Sequence, residues 1–233
     1  MANMCAQALT ATTPSPQRPA PARKAGARPS GTPMAFVHAV LAAFEARQLP
    51  ASHAQAALAA AQITPAQLRQ QHSVSAQQFE RLCDAAMRAL DDEALGWFER
   101  ALPWGSYGML ARASTGAATL GLALARWCRQ HGLLSGAIDL QLIAQGSVAE
   151  IRLSERQPLH AAPEFARVSV LRNLHGLACW WIDSRLPLRA ARFTHAAPVH
   201  ALAYASMFPG PAEFGAPHTA LVFDAAYLKL PVV

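Results

Sequence analysis

The chain predicts an α+β fold, with an amino-terminal helical subdomain followed by a small, mainly antiparallel sheet and packed helices in the order β-β-α-β-α-β. Three observations carry this. Apolar residues recur at helical spacing over the first part of the chain beyond residue 35. The period changes to two in "AIDLQLIA" and "SVAEIRLS". Helical segments then separate the remaining short strands.

The elements follow in order. Residues 1–35 hold six of the 17 prolines and almost no large apolar side chain, which predicts a disordered, basic, Pro/Ala-rich tail. Its Arg-rich, acid-free composition resembles an organellar transit peptide but lacks a sustained apolar helical face. Met34, which opens directly into "MAFVHAVLAAFEARQL", is an alternative start to Met1. Phe36, Val37, Val40, Leu41 and Phe44 share one helical face, and Pro50 stops that helix. "SHAQAALAAAQI" and "TPAQLRQQ" read as two shorter helices, the second with Thr64 as N-cap and Pro65 at its first position. In "SAQQFERLCDAAMRAL" the stripe is Phe79, Leu82, Cys83, Ala86 and Leu90. "LPWGSYGML" reads as a loop leading to the next helix, "TLGLALARWCRQHG", which points Leu120, Leu124, Trp127 and Cys128 inward and stops at Gly132.

"AIDLQLIA" and "SVAEIRLS" form a hairpin about Gln145-Gly146-Ser147. A long helix starts at Pro163 and buries Val168, Leu171, Leu174, His175, Ala178, Trp181 and Ile182. "RAARFTH" is a strand, "PVHALAYASMF" a helix, "TALVFD" a strand and "DAAYLKL" a last helical turn capped by Asp224.

Composition narrows the function classes. The chain has 52% hydrophobic and 15% charged residues, yet no apolar run reaches the ~18–20 residues of a membrane span. The net charge of +6 is uneven, since the tail supplies four basic residues and no acid while the rest carries 16 basic against 14 acidic side chains. A body so nearly balanced is a poor footprint for nucleic acid. Cys5, Cys83, Cys128 and Cys179 form no CxxC pair, which predicts reduced thiols in a cytoplasmic protein without membrane association.

Motifs for chemistry are sparse. "SHAQAALAAAQITPAQLRQQ" has the outline of a helix-turn-helix but no basic cluster beside its second helix, so it reads as two packed helices. His195, His200 and His218 lack a carboxylate or cysteine at metal-ligand spacing, and His195 is expected to make a backbone hydrogen bond at a strand-to-helix junction. Asp91-Asp92-Glu93 reads as an exposed, solvated turn and Asp183 as solvent-facing. No nucleophile elbow, phosphate loop or dinucleotide fingerprint is present, so the chain is read as a non-enzyme with no cofactor and no metal. The candidate ligand-binding residues are Trp104, Tyr107, Trp127, Arg172 and His175, aromatic walls with a few polar groups of the kind a small-molecule pocket requires.

"FVHAVLAAFEARQL", "ITPAQL", "FERLCDAAMRALDDEALGWF", "YGMLARASTGAATLGLAL", "RFTHAAP", "YASMF" and "EFGAPHTALVFDAAYLKLP" together resemble the amino-terminal effector (arabinose-binding-type) domain of AraC-family transcription regulators, in the group similar to the ornithine-utilisation regulator. "RFTH" and "FxxxxTALVFDAAYL" are the most telling parts, and the resemblance spans residues 36–231. One departure is the set of small residues Ala113, Gly116 and Ala117, where many members are richer in serine.

The resemblance implies a bacterial, cytoplasmic ligand-sensing and dimerisation domain over residues 36–231, with a small-molecule effector and a homodimer as partners. It implies too that a carboxy-terminal helix-turn-helix module is absent here, in a truncated or stand-alone form that binds no DNA specifically by itself. The arabinose regulator itself has a β-rich cupin-like domain, but the residue pattern here predicts no cupin jelly roll. Two alternatives stay open. One is a small-molecule enzyme with an α+β pocket, and the other is an interaction protein that forms mixed dimers with a full-length regulator.

Overall fold

In the computed structural model, residues 31–233 are described; the tail expectation for residues 1–30 lies outside them. The structure is α+β and mostly antiparallel, as the pattern predicts. Order begins earlier than residue 36. Strand β1 (Thr32–Pro33) pairs with β2 (Ser73–Val74), and the Met34 N–H donates to the His72 carbonyl at 2.8 Å as helix α1 (Met34–Ala46) starts.

Helices α2 (Ala51–Ala60), α3 (Pro65–Gln70) and α4 (Ala76–Leu90) complete the first helical unit. Two capping boxes set its starts, Thr64 with Gln67 on α3 and Ser75 with Gln78 on α4. The α4 stripe is buried as its spacing predicts and packs on α1 and α2.

Helix α5 (Ser106–Thr115) occupies the stretch the sequence reads as a loop. Its Ser, Gly and Thr content is poor for a helix, and no side chain caps it locally. A remote carboxylate does so instead: Glu93 accepts from the Gly105 N–H and the Tyr107 N–H, both at 2.8 Å, at the positive end of the helix. Helix α6 (Leu120–Leu134) runs through Gly132, which meets no neighbour and does not end it.

Strands β3 (Ile138–Gln145) and β4 (Val148–Glu155) form the hairpin, with Gln145 opposite Val148 and Gly146 at φ 59 in a two-residue turn. Helix α7 (Pro163–Trp181) buries the face the sequence marks, His175 included. Strand β5 (Leu188–Phe193) follows. The predicted helix "PVHALAYASMF" shrinks to a 3-10 turn (Ala201–Ala203) and the single turn α8 (Tyr204–Met207). Strand β6 (Ala212–Phe214), not expected from the sequence, adds parallel to β5. Strand β7 (Thr219–Asp224) enters the middle of the sheet, whose order is β3-β4-β7-β5-β6. Helix α6 packs on β3 and α7 on β7, and Phe36, Phe79 and Trp97 meet Phe165 to join the first helical unit to α7 within one continuous core.

The acidic trio is a correction. Asp91 is exposed, but Asp92 and Glu93 are buried. Asp92 accepts from the N–H groups of Ala94, Gly96 and Leu102 and pairs with Arg47. A carboxylate can lie this deep only because every lone pair meets a donor. Asp183 is exposed as expected.

Candidate functional site

The five predicted residues fall into three settings. Trp104 lies at the surface, where the Arg88 guanidinium sits 4.4 Å above its ring. Tyr107 on α5 and Trp127 on α6 are buried and stacked, with centroids 6.1 Å apart at 10°. Trp127 in turn meets Trp181 of α7 edge-on, and the Trp181 indole N–H donates to the Thr115 hydroxyl at 3.3 Å. Arg172 and His175 lie further along α7 and act as braces. Arg172 donates to the Met207 carbonyl, and His175 Nε2 lies 2.8 Å from the Leu186 carbonyl oxygen. The structure thus joins Tyr107 and Trp127 and places the other three apart from them.

Sequence reading missed what surrounds that pair. His131, one turn after Trp127, is 1% exposed, and its Nε2 lies 3.4 Å from the Tyr107 hydroxyl. Burial pushes its pKa down to about 4, so the ring is neutral at neutral pH. Three buried polar atoms on this stretch of α6 find no protein partner: Trp127 Nε1, Gln130 Oε1 and His131 Nδ1. Native interiors rarely leave such atoms unpaired, and three within five residues make this stretch of α6 the candidate site. Gln130 also lines a cavity of about 510 Å³ between α5 and α6, together with Ala113, Arg126, Arg129 and Leu133. That volume suits a small ligand. The only signal in the sequence is polar Gln130 and His131 beside Trp127 on an apolar helix.

The end of the chain touches the same helices. After the 3-10 turn Ala225–Lys229, the Leu120 N–H donates to the Leu230 carbonyl and the Val233 N–H to the Trp181 carbonyl, each at 2.9 Å. Thr119 pairs with Pro231, and Gly121 leaves room for Leu228, whose carbonyl oxygen would stand 3.0 Å from any Cβ there.

A second polar cluster joins α7 to the segment after β5. Glu164 Oε1 accepts from the Tyr204 hydroxyl at 2.7 Å and from His200 Nε2 at 2.8 Å. His195 Nε2 lies 3.2 Å from the Tyr204 oxygen. The ring of His195 therefore bonds a side chain rather than the expected backbone, although its carbonyl does accept from the Gly215 N–H. Because Tyr204 spends its proton on Glu164, His195 Nε2 is the donor in that contact. Burial raises the Tyr204 pKa, with Glu164 adding to it, and lowers that of His195. Phe36, Phe193 and Phe214 wall this cluster. Among the described residues no group of three or more His, Cys, Asp or Glu is placed to hold a metal. None of their helices is long and apolar enough to cross a membrane.

Comparison with known proteins agrees with the sequence pattern. Residues 52–232 match the family described as the arabinose-binding domain of AraC transcription regulator, N-term. The chain is 30% identical over 155 residues to the ornithine utilization regulator of Pseudomonas aeruginosa, an alignment covering 66% of this chain and 46% of that protein. It therefore spans about half the length of this relative. Among solved structures it is similar to the transcriptional regulator CdpR from Pseudomonas aeruginosa, at 17% identity and a TM-score of 0.43 over 77% of this chain and 56% of that one.

Proposed function

The chain belongs to the family of arabinose-binding-type amino-terminal domains of AraC transcription regulators, and on that premise we propose that it senses a small-molecule effector between α5, α6 and α7. The family match over residues 52–232 is the observation that carries this reading. The stacked Tyr107–Trp127 pair, the three unpaired polar atoms and the adjoining cavity support the location. Trp104, Arg172 and His175 act in this proposal at the margins, as a surface ring and as braces of the α7 wall.

The means of response is linkage. A ligand shifts a conformational equilibrium only by its differential affinity for the two states, with coupling typically worth ~1–3 kcal/mol. Here the walls of the seat, α6 and α7, are also the elements that hold residues 225–233. Occupancy that moves either helix alters how this terminal segment is held. The proposed domain pairs with itself and binds no operator DNA specifically on its own. Sedimentation velocity and an electrophoretic shift at near-physiological salt check those two points.

The sensing role is tested by passing a bacterial metabolite extract over immobilised protein and analysing what is retained. A sensor returns its ligand unchanged, and Trp127→Ala abolishes the capture. Conversion of the retained compound on incubation favours the enzyme alternative and overturns this reading.

A further inference from the structure

The cavity between α5 and α6 has a chemical bias that goes beyond its location. Between Glu99 and Asp139 the chain has no acidic side chain, but it has Arg100, Arg112, Arg126 and Arg129. Arg126 and Arg129 both line the cavity, are exposed, and make no ion pair among the described residues. This contrasts with Arg47, Arg88, Arg152, Arg156, Arg167, Arg189 and Arg192, each of which holds a carboxylate. The remaining wall is apolar, from Ala113 and from Leu133, which is 81% exposed. At the inner edge stands the buried, unpaired Gln130 amide oxygen, and on the core side of the same helix the Trp127 indole N–H is likewise unpaired.

We propose that this cavity takes a small organic anion with an apolar body, its carboxylate held by Arg126 and Arg129 and its body lying over Ala113 and Leu133. The proposal rests on the effector-sensing reading and names the class of effector. Guanidinium groups suit the task because their planar donor forks match a carboxylate. The aliphatic wall of Ala113 and Leu133 then rewards the apolar remainder with burial. A neutral molecule of the same shape gains the second contribution without the first.

The test uses the full chain with ¹⁵N-labelled tryptophan, the Trp127 indole resonance being assigned through Trp127→Phe. The protein is titrated with 4-phenylbutyrate and with its uncharged amide. The expected result is that the acid moves the Trp127 resonance and binds at least tenfold tighter than the amide, and that this preference vanishes in Arg126→Ala/Arg129→Ala. Both arginines are at the surface, so the double variant keeps its melting temperature. Equal binding of acid and amide, an acid preference that survives in the double variant, or a Trp127 resonance that stays still would each overturn the proposal. Capture of an uncharged metabolite that depends on Trp127 would refute the anion and leave the sensing role standing.

Discussion

Arg47 and Asp92 meet at 2.7 Å, with the carboxylate completely shielded from solvent. The pair fastens the end of α1 to the loop that precedes α5, and Arg47 also donates to the carbonyls of Phe98 and Glu99. Removing one member of such a pair strands the other, at a cost of about 3–5 kcal/mol. Asp92→Ala also strips three backbone N–H groups of their acceptor. For a domain of this size the melting temperature should fall by roughly 10 °C, at ~2–4 °C per kcal/mol. A thermal scan showing a change within error would contradict the assigned role.

Glu93→Gln addresses α5 separately. The amide keeps the shape but loses the charge that complements the helix terminus, and its NH₂ group replaces one acceptor. Hydrogen exchange should accelerate across residues 105–115 while the α4 amides stay protected. Uniform acceleration would mean that the residue supports the whole fold rather than this helix.

Acid should weaken the domain through its buried histidines. Burial lowers the pKa of His131 from 6.5 to about 4, and it lowers that of His175 too, where Arg172 adds and the hydrogen bond to Leu186 opposes. Between pH 6.5 and 4 the unfolded chain binds protons that the folded chain refuses. Stability is therefore intact above the unfolded value and declines as pH falls through this window. His131 alone contributes at most ~3 kcal/mol of that decline, at 1.36 kcal/mol per unit. His131→Phe should flatten the pH dependence of urea denaturation; an unchanged slope would remove His131 as a cause.

Tyr204→Phe deletes the hydroxyl shared by Glu164 and His195. The cost should be about 1 kcal/mol, the usual net worth of a hydrogen bond, because Glu164 and His195 are only half-buried and Glu164 keeps His200. If the α5–α6 cavity is the effector seat, capture of ligand survives this substitution. Lost capture with an intact melting temperature would move the seat to the Glu164 cluster.

How much of this was legible in the sequence depends on how local its causes are. The stripes of α4 and α7, the Thr64 cap and the β3–β4 turn follow from spacing and short-range chemistry, and each is found where the pattern puts it. Helix α5 was not legible, because its cap comes from Glu93, twelve residues before Gly105, and its own residues favour turns. Asp92 and Glu93 read as solvated for the same reason: their partners are backbone donors and an arginine 45 residues away. Strand β6 is three residues long and carries no period. In the candidate site, Trp127 was legible as a large aromatic on an apolar helix, and Tyr107 only as an aromatic in a stretch that reads as a loop. The unpaired atoms of Gln130 and His131 depend on how α5 and α6 pack, which no single segment specifies.

Gly121 tests the contact between α6 and the chain's end. A Cβ there would meet the Leu228 carbonyl oxygen at 3.0 Å and its side chain at 3.3 Å. Gly121→Val should displace residues 225–233 and speed their hydrogen exchange, with the sheet unaffected. Unchanged exchange in that segment would show that the contact yields without consequence.

The central claim is that one seat between α5, α6 and α7 holds the effector and passes its occupancy to the terminal segment. Hydrogen–deuterium exchange of the full chain, with and without the compound captured from extract, tests it most directly. The account predicts slower exchange in residues 106–134 and an altered rate in residues 225–233, with residues 193–208 unchanged. Protection confined to residues 193–208, or none in residues 106–134, would contradict it.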